Sequence, residues 1–289
     1  QRKLMTTGKD ENVFNIAVKG NFDDCQNLVK SMFSDKEFSN QINMSGVNSI
    51  NWARIIAQSV YYFYCYFLAE DDNQPINFSV PTGNFGDVYA GYLAKKLGLP
   101  INKLIVATNQ NDILHRAISK GKYEAEHVSE TISPSMDIQI ASNFERLIYD
   151  LNNHDSSQTL DDMKTIKQNG KYSIDDEKLK KINQDFLSAR MSEQETLDVI
   201  KNIYEKFNMV LDPHTAIGYG AFDKHDLKGN NIVLATAHPC KFPDAILKAI
   251  NLKSDLPDEL KFILDEKENY GIIENNLKEI KQYILGKIK

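Results

Sequence analysis

One stretch, VPTGNFGDVYAGYLAKKLG at residues 80–98, combines the residue types that bind an anion through the backbone. An apolar run enters the turn at Gly83-Asn84-Phe85-Gly86, and an amphipathic helical pattern begins at Asp87. Such a turn gathers free backbone N–H groups and the positive end of a helix dipole, which together bind phosphate. Glycine suits it because it reaches positive φ and lets a ligand approach without a Cβ. The stretch matches neither GxGxxG nor a P-loop, so by itself it fits an anion site or a plain structural turn.

A second candidate loop, LATAHPCKF at residues 234–242, follows another predicted strand. Thr236 closes that strand, and its hydroxyl either caps the strand end or binds a ligand ring atom. His238 beside it is a candidate active-site residue, whereas Lys241 fits the first turn of a surface helix. Ligands of open α/β sheets bind outside the carboxyl ends of the strands, so the two loops are expected to hold one cofactor.

A third candidate group, Asn48, Ser49, Asn51 and Arg54, opens an apolar helix predicted over residues 49–69. A helix N-terminus with a guanidinium suits the phosphate of a substrate. The alternative is structural, with Asn48 as a cap and Arg54 paired with a surface acid. Because apolar residues occupy most of the helix circumference, the helix is expected to be buried.

The histidines and cysteines do not predict a metal site. None of the six histidines forms an HxxxH or HxH pair, and the three cysteines form no CxxC motif. His214 follows Asp212-Pro213, the usual opening of a capped helix, and is interpreted mainly as a structural histidine.

Strand and helix patterns alternate along most of the chain and predict an α/β fold, an open and mostly parallel sheet covered by helices. Strands are expected at residues 13–20, 76–80 and 103–108 and from Ile232, and Asn21 is expected to cap the second helix pattern. Residues 155–209 are charged, show helical periodicity and are interpreted as a helical insertion. The expected domains are residues 1–45 as the tail of a smaller α/β domain, and residues 46–154 with 210–289 as a larger one ending in charged helices.

Composition limits the function. The chain has 289 residues, 42% of them hydrophobic, and a net charge of −6. That charge argues against nucleic-acid binding, and no apolar window is long enough to cross a membrane. The cysteine pattern favours a cytoplasmic protein.

Seven motifs in order resemble threonine synthase, a pyridoxal 5'-phosphate (PLP) enzyme family: NSINWAR, VPTGNFGD, ATNQNDIL, SPSMDI, SNFERL, DPHTA and ATAHPCKF. The resemblance implies the PLP fold of the tryptophan synthase β chain. It implies that Gly83, Asn84, Phe85 and Gly86, with neighbouring Asp87, hold the cofactor phosphate. It also implies that Thr236 faces the pyridine nitrogen.

The reaction implied by the resemblance converts O-phospho-L-homoserine and water to L-threonine and phosphate, the last step of threonine biosynthesis. Asn48, Ser49, Asn51, Arg54 and His238 are the candidate substrate residues, and a monomer or homodimer is expected. The family's Schiff-base lysine is expected upstream of Gln1, so this chain alone is expected to be inactive. The alternatives are a related phospholyase acting on another amino-acid phosphate and a non-catalytic fragment.

Overall fold

The structure is a computed structural model that describes residues 2–20, 22–48, 51–69 and 74–288. It consists of two compact units, one formed by Gln1–Gly46 with Asp255–Lys289 and the other by Val47–Ser254. The strands are β1 (Ile16–Lys19), β2 (Ile76–Pro81), β3 (Ile101–Thr108), β4 (Lys122–Glu124), β5 (Lys171–Ser173), β6 (Phe186–Arg190), β7 (Asn230–Val233) and β8 (Gly271–Glu274). The helices are α1 (Arg2–Thr6), α2 (Phe22–Ser34), α3 (Lys36–Gln41), α4 (Trp52–Leu68), α5 (Gly86–Lys96), α6 (Ile113–Lys120), α7 (Phe144–Leu151), α8 (Ser156–Asn169), α9 (Asp176–Asp185), α10 (Glu193–Phe207), α11 (Pro213–Asp223), α12 (Pro243–Ile250) and α13 (Leu277–Leu285).

The unit formed by Val47–Ser254 is built on a four-stranded parallel sheet in the order β6-β3-β2-β7. Every residue of β2 is buried, as expected for an inner strand covered on both faces. Because the strands are parallel, their carboxyl ends lie at one edge, and the loops that follow β2 and β7 are neighbours there.

The core of this unit lies between the sheet and the helices α4, α5 and α7. The fully buried ring of Tyr62 from α4 packs on Phe78 of β2, with 4.8 Å between the ring centroids. Gly91 of α5 makes this packing possible, because a Cβ there would lie 2.4 Å from the Tyr62 ring. Helix α4 therefore reaches the sheet across α5.

Helix α4 is only partly buried, which corrects the expectation of a buried helix. Ile55, Ser59 and Tyr62 lie inside, but several large apolar side chains are exposed: Trp52, Ile56, Val60, Tyr61, Tyr64, Phe67 and Leu68. An apolar circumference shows only that the helix could be buried on all sides. In the described part of the chain, other residues pack against one side of α4 and leave the rest exposed.

The segment at residues 155–209 is not purely helical, which corrects a second expectation. It contributes β5, which pairs antiparallel with β4, and β6, which pairs with β3 in the main sheet. Strand β6 has the sequence FLSAR and lies between two charged helices, so its five residues carry too weak an alternation to stand out.

The other unit pairs β1 with β8 in parallel, so residues 255–289 fold with Gln1–Gly46 and not with the larger unit as expected. The chain end also contains β8 in place of helices alone. Leu28, Met32 and Phe38 pack against Ile280 in its core. The proposed cap Asn21 lies outside the described residues.

No helix among the described residues has the length and apolar character needed to cross a membrane.

Core truncation tests this packing. Leu104 of β3 is fully buried, whereas Leu97 after α5 is 65% exposed. We expect Leu104→Ala to lower the free energy of unfolding by about 2–5 kcal/mol, because it leaves a cavity beneath α5. Leu97→Ala removes the same atoms from the surface and should change it by less than about 0.5 kcal/mol. Equal urea-unfolding losses for the two variants would contradict this core.

Candidate functional site

A cavity of about 740 Å³ opens at the carboxyl edge of the main sheet, within the range of small-molecule sites. It is lined by the loop after β2, the loop after β7, one turn of the segment before α7, and one side of α4. The lining residues are Arg54, Gln58, Tyr61, Tyr64, Cys65, Pro81, Thr82, Gly83, Asn84, Phe85, Gly86, Asp87, Val88, Ser135, Met136, His214, Val233, Leu234, Ala235, Thr236 and Ala237.

Residues 83–87, called the anion loop below, turn at Phe85. Phe85 has a φ of 64° and is fully buried, with its ring edge-on to Phe144 at 5.2 Å and tilted against Phe186 at 5.8 Å. A bulky residue rarely adopts positive φ, so this strain has to be offset by the packing of the ring. The buried ring thus anchors the turn from below.

The glycines of the anion loop do not supply its left-handed residue, contrary to the expectation from sequence. Gly83 is needed for close approach, because a Cβ there would lie 2.4 Å from the backbone oxygen of Ser135. Asn84 is held from the other side, since its backbone oxygen accepts hydrogen bonds from the backbone N–H and the side-chain amide of Asn143, each at 3.1 Å.

These contacts leave the backbone N–H groups of the turn available. Among the described residues, none accepts a hydrogen bond from the N–H groups of residues 83–88, all of which line the cavity. Helix α5 begins at Gly86, so its positive end adds to the same spot. The arrangement is suited to an anion such as a phosphate group.

A buried polar network positions the wall opposite Gly83. The side-chain amide of Asn109, at the end of β3, donates to Ser133 Oγ at 2.9 Å and to Asp137 Oδ1 at 2.8 Å. Asn111 donates to the same carboxylate oxygen at 2.9 Å. The ATNQNDIL and SPSMDI motifs therefore meet in space and fix both ends of the turn that carries Ser135.

His214, at the start of α11, lines the cavity and is only 4% exposed. Its Nδ1 lies 3.0 Å from Asp212 Oδ1, and its Nε2 accepts the backbone N–H of Ser135 at 3.3 Å. The ring packs against Phe242 at 4.8 Å. His214 therefore has structural hydrogen bonds, as expected, but it also lines the cavity, which the sequence analysis did not predict.

Asp87 is the last residue of the anion loop and carries the loop's carboxyl group. Tyr62 Oη donates to its backbone oxygen at 2.8 Å and lies 3.3 Å from Oδ1. Burial raises the pKa of Asp87 to about 6, and the Tyr62 hydrogen bond and the nearby Arg54 charge only partly counteract that rise. Asp87 therefore becomes neutral in mildly acidic solution.

The structure brings Thr236 into the same cavity but changes its setting. Strand β7 ends at Val233, so Thr236 lies on the loop beyond the strand and not at its end. His238 does not line the cavity; its Nδ1 accepts the backbone N–H of Cys240 at 3.2 Å and caps a short 3-10 turn. Lys241 is exposed in that turn, as the sequence indicated.

Of the described candidate substrate residues at the start of α4, only Arg54 lines the cavity. Asn51 caps α4, with its side chain accepting the N–H of Ala53 at 2.9 Å. Asn48 does not line the cavity, and Ser49 lies outside the described residues. No cluster of three or more metal-ligating side chains occurs in the described ranges.

Sequence reasoning missed two kinds of cavity residue. Ser135 contributes its backbone, which no residue pattern marks, although its motif SPSMDI was part of the resemblance. Gln58, Tyr61, Tyr64 and Cys65 lie on the helix that was expected to be buried, and only the structure places them at the cavity with the anion loop.

Comparison with known proteins identifies relatives of the chain. A threonine synthase from Pseudomonas aeruginosa is 42% identical over 287 residues, covering 98% of this chain and 61% of the relative. One from Saccharomyces cerevisiae is 45% identical and covers 95% and 59%. The crystal structure of PLP-bound threonine synthase from Brucella melitensis superimposes with a TM-score of 0.94 at 44% identity, covering 99% of this chain and 62% of that one.

The chain belongs to the threonine synthase family. The family model for the C-terminal part of threonine synthase matches residues 215–284, and the chain spans about three fifths of the length of these relatives. The predicted fold class is confirmed, because the parallel, helix-covered sheet matches solved threonine synthases. The relatives do not test the individual site residues, which stay predictions.

The close approach at Gly83 gives a first test of the geometry of the anion loop. Gly83→Ala should lower the free energy of unfolding by about 1–3 kcal/mol, because the new Cβ forces backbone away from backbone. Gly8→Ala is the control, since its added Cβ meets no atom closer than 3.9 Å. If urea unfolding shows the same small loss of unfolding free energy in Gly83→Ala and Gly8→Ala, the close approach at Gly83 is refuted.

Asp87 gives a test by pH. Its folded-state pKa of about 6 exceeds the ordinary value of 3.8, so the folded protein holds its proton longer than the unfolded chain does. Stability from this group therefore falls as pH rises from about 4 to about 6, by at most about 3 kcal/mol. Asp87→Asn should remove that fall, whereas Asp244→Asn, at an exposed aspartate of α12, should not.

Urea unfolding at pH 4, 5, 6 and 7 measures the difference between wild type and each variant. A difference between wild type and Asp87→Asn that stays constant over this range would contradict the raised pKa.

Proposed function

We propose that this chain is the cofactor-phosphate-binding part of a threonine synthase, an enzyme that converts O-phospho-L-homoserine and water to L-threonine and phosphate with PLP. The observation that carries the proposal is the anion loop, whose unpaired N–H groups share one cavity with Thr236 in a member of this family. The unit formed by Val47–Ser254 is then the cofactor-binding unit. Cytoplasmic location and a monomer or homodimer belong to the same proposal.

The residues present fit PLP. Because Gly83 has no Cβ, the turn that carries Ser135 can lie directly against the anion loop. The N–H groups of residues 83–88 have no acceptor among the described residues. Residues 83–87 would hold the cofactor phosphate, and Thr236 would meet the pyridine nitrogen. When bound, PLP supplies an electron sink for negative charge that develops on the substrate carbons.

Thr236 limits how strong that sink is. A hydroxyl carries no charge and cannot stabilise a protonated ring nitrogen as a carboxylate does. The only carboxylate of the cavity lining among the described residues, Asp87, adjoins the anion loop, not Thr236. The residues of this chain thus favour a neutral ring.

Arg54 is the proposed ligand of the substrate phosphate. Arg54 lines the cavity from the first turn of α4, and one of its guanidinium nitrogens donates to the Val47 oxygen at 3.2 Å. A planar guanidinium pairs with phosphate through two parallel hydrogen bonds. The N–H groups of the anion loop remain for the cofactor, so two phosphates can be held in one cavity.

No lysine lines the cavity within the described ranges, and Lys241 lies outside the lining. The family resemblance implies a Schiff-base lysine, so we expect the chain as given to bind PLP reversibly and not to turn over. A non-catalytic binding fragment is the second candidate for this reason. A phospholyase of the same fold stays an alternative, because nothing in the lining selects homoserine phosphate over another amino-acid phosphate.

Cofactor binding tests the proposal. The chain should bind PLP at neutral pH, seen as a change in absorbance, and inorganic phosphate should compete. Gly83→Ala should weaken PLP binding at least about tenfold by displacing the anion loop, since one lost charge-assisted hydrogen bond has that effect. Thr236→Ser keeps the hydroxyl and is the matched control.

Borohydride treatment followed by peptide mapping should find no lysine of the cavity edge modified. Absence of PLP binding would overturn the proposed site. So would phosphate that competes with PLP equally well in the wild type and in Gly83→Ala. Turnover of O-phosphohomoserine against O-phosphoserine and phosphoethanolamine, measured as phosphate release by a full-length member containing this chain, separates the two enzyme alternatives.

A further inference from the structure

We propose that His214 is a positioning residue that shapes the anion loop through the backbone of Ser135. The chain of contacts runs from Asp212 to the His214 ring, from the ring to the Ser135 N–H, and from the Ser135 oxygen to Gly83. Its effect on cofactor affinity rests on the function proposed above, but the contacts do not.

Both ring nitrogens of His214 require the same tautomer. A carboxylate only accepts hydrogen bonds, so the nitrogen facing Asp212 Oδ1 at 3.0 Å, Nδ1, carries the proton. A backbone N–H only donates, so the nitrogen that receives Ser135, Nε2, carries the lone pair. Asp212 thus fixes the ring in the form that can hold Ser135.

Asp212 is itself firmly placed. It is 1% exposed and caps α11, accepting the backbone N–H of His214 at 2.9 Å as well as the hydroxyl of Thr215. The Phe242 ring packs against the imidazole. The ring therefore cannot turn without breaking contacts on three sides.

The hydrogen bond from Ser135 matters because the same residue touches Gly83 with its oxygen. The network of Asn109 and Asp137 holds the turn only at Ser133 and Asp137. His214 is the described side chain that bonds the backbone of Ser135 between those points. Without it the backbone of Ser135 is held only through the 3-10 turn itself, in which the Met136 N–H donates to the Ser133 oxygen at 2.9 Å and the Asp137 N–H to the Pro134 oxygen at 3.2 Å. The Ser135 oxygen that faces Gly83 is then less firmly placed.

Two substitutions separate this role from simple packing. Asp212→Asn, with its amide nitrogen in the place of Oδ1, donates to Nδ1 and favours the Nε2–H tautomer, at the cost of the bond from the His214 backbone N–H. Its amide oxygen, in the place of Oδ2, still caps α11 through Thr215. That tautomer puts two N–H groups face to face at Ser135. His214→Met removes the acceptor and keeps an apolar side chain of comparable reach. His127→Met, at an exposed histidine, is the matched control.

Three measurements decide the matter. Imidazole ¹⁵N NMR should find His214 as Nδ1–H in the wild type and Nε2–H in Asp212→Asn. Amide hydrogen exchange at Ser135 should accelerate at least about tenfold in Asp212→Asn and His214→Met, as expected for one lost hydrogen bond, and not in His127→Met. The dissociation constant of PLP should rise by a similar factor in the first two variants only, with circular dichroism unchanged.

An Nε2–H tautomer in the wild type, or unchanged Ser135 exchange in His214→Met, overturns the proposal. So does faster exchange with unchanged PLP affinity, because the wall would then not shape the loop. If the wild type binds no PLP, the proposed function fails, while the tautomer and exchange results still decide whether His214 holds Ser135.

Discussion

The structure of the site depends on the left-handed turn at Phe85. A bulky side chain in that conformation is unfavourable, and it persists because the ring is fully buried against Phe144 and Phe186. The turn directs the chain from β2 into α5 without using the N–H groups of residues 83–88 in the protein's own hydrogen bonds. Hydrophobic packing beneath the loop thus keeps these N–H groups unpaired above it, so the proposed anion binding would be a consequence of the core.

The surrounding motifs act by supporting that turn. Asn143, from SNFERL, does not line the cavity, but its backbone N–H and its side-chain amide both donate hydrogen bonds to the Asn84 oxygen. Asn109 and Asn111, from ATNQNDIL, hold Asp137 of SPSMDI, and this fixes the turn that touches Gly83. Motifs far apart in sequence therefore converge on five loop residues. Such buried polar networks are rigid when every member is bonded, which keeps the loop in one shape.

The sequence predicted the parallel sheet and the adjacency of the β2 and β7 loops, because alternation of strands with helices leaves few topologies. Anion binding by residues 83–87 stays a prediction. The sequence analysis missed β6, whose five residues have little periodicity, and it assigned the positive φ to glycine when Phe85 adopts it. Backbone contacts such as that of Ser135 with Gly83 leave no residue pattern. His238 was preferred to His214 by nearness to Thr236 in sequence, yet the sheet order brings His214 to the cavity and turns His238 into a cap.

The charges of the cavity are consistent with a proposed anion site made of backbone groups. The described lining contains one basic residue, Arg54, and one acidic residue, Asp87. Because these two formal charges offset each other, they do not by themselves attract an anion. Burial raises the pKa of Asp87 to about 6, so its own negative charge is disfavoured at this position. Aligned N–H groups and a helix end attract an anion without adding a mobile cation. Under the proposed function, Arg54 is then available for the substrate phosphate, and the N–H groups of the anion loop for the cofactor phosphate.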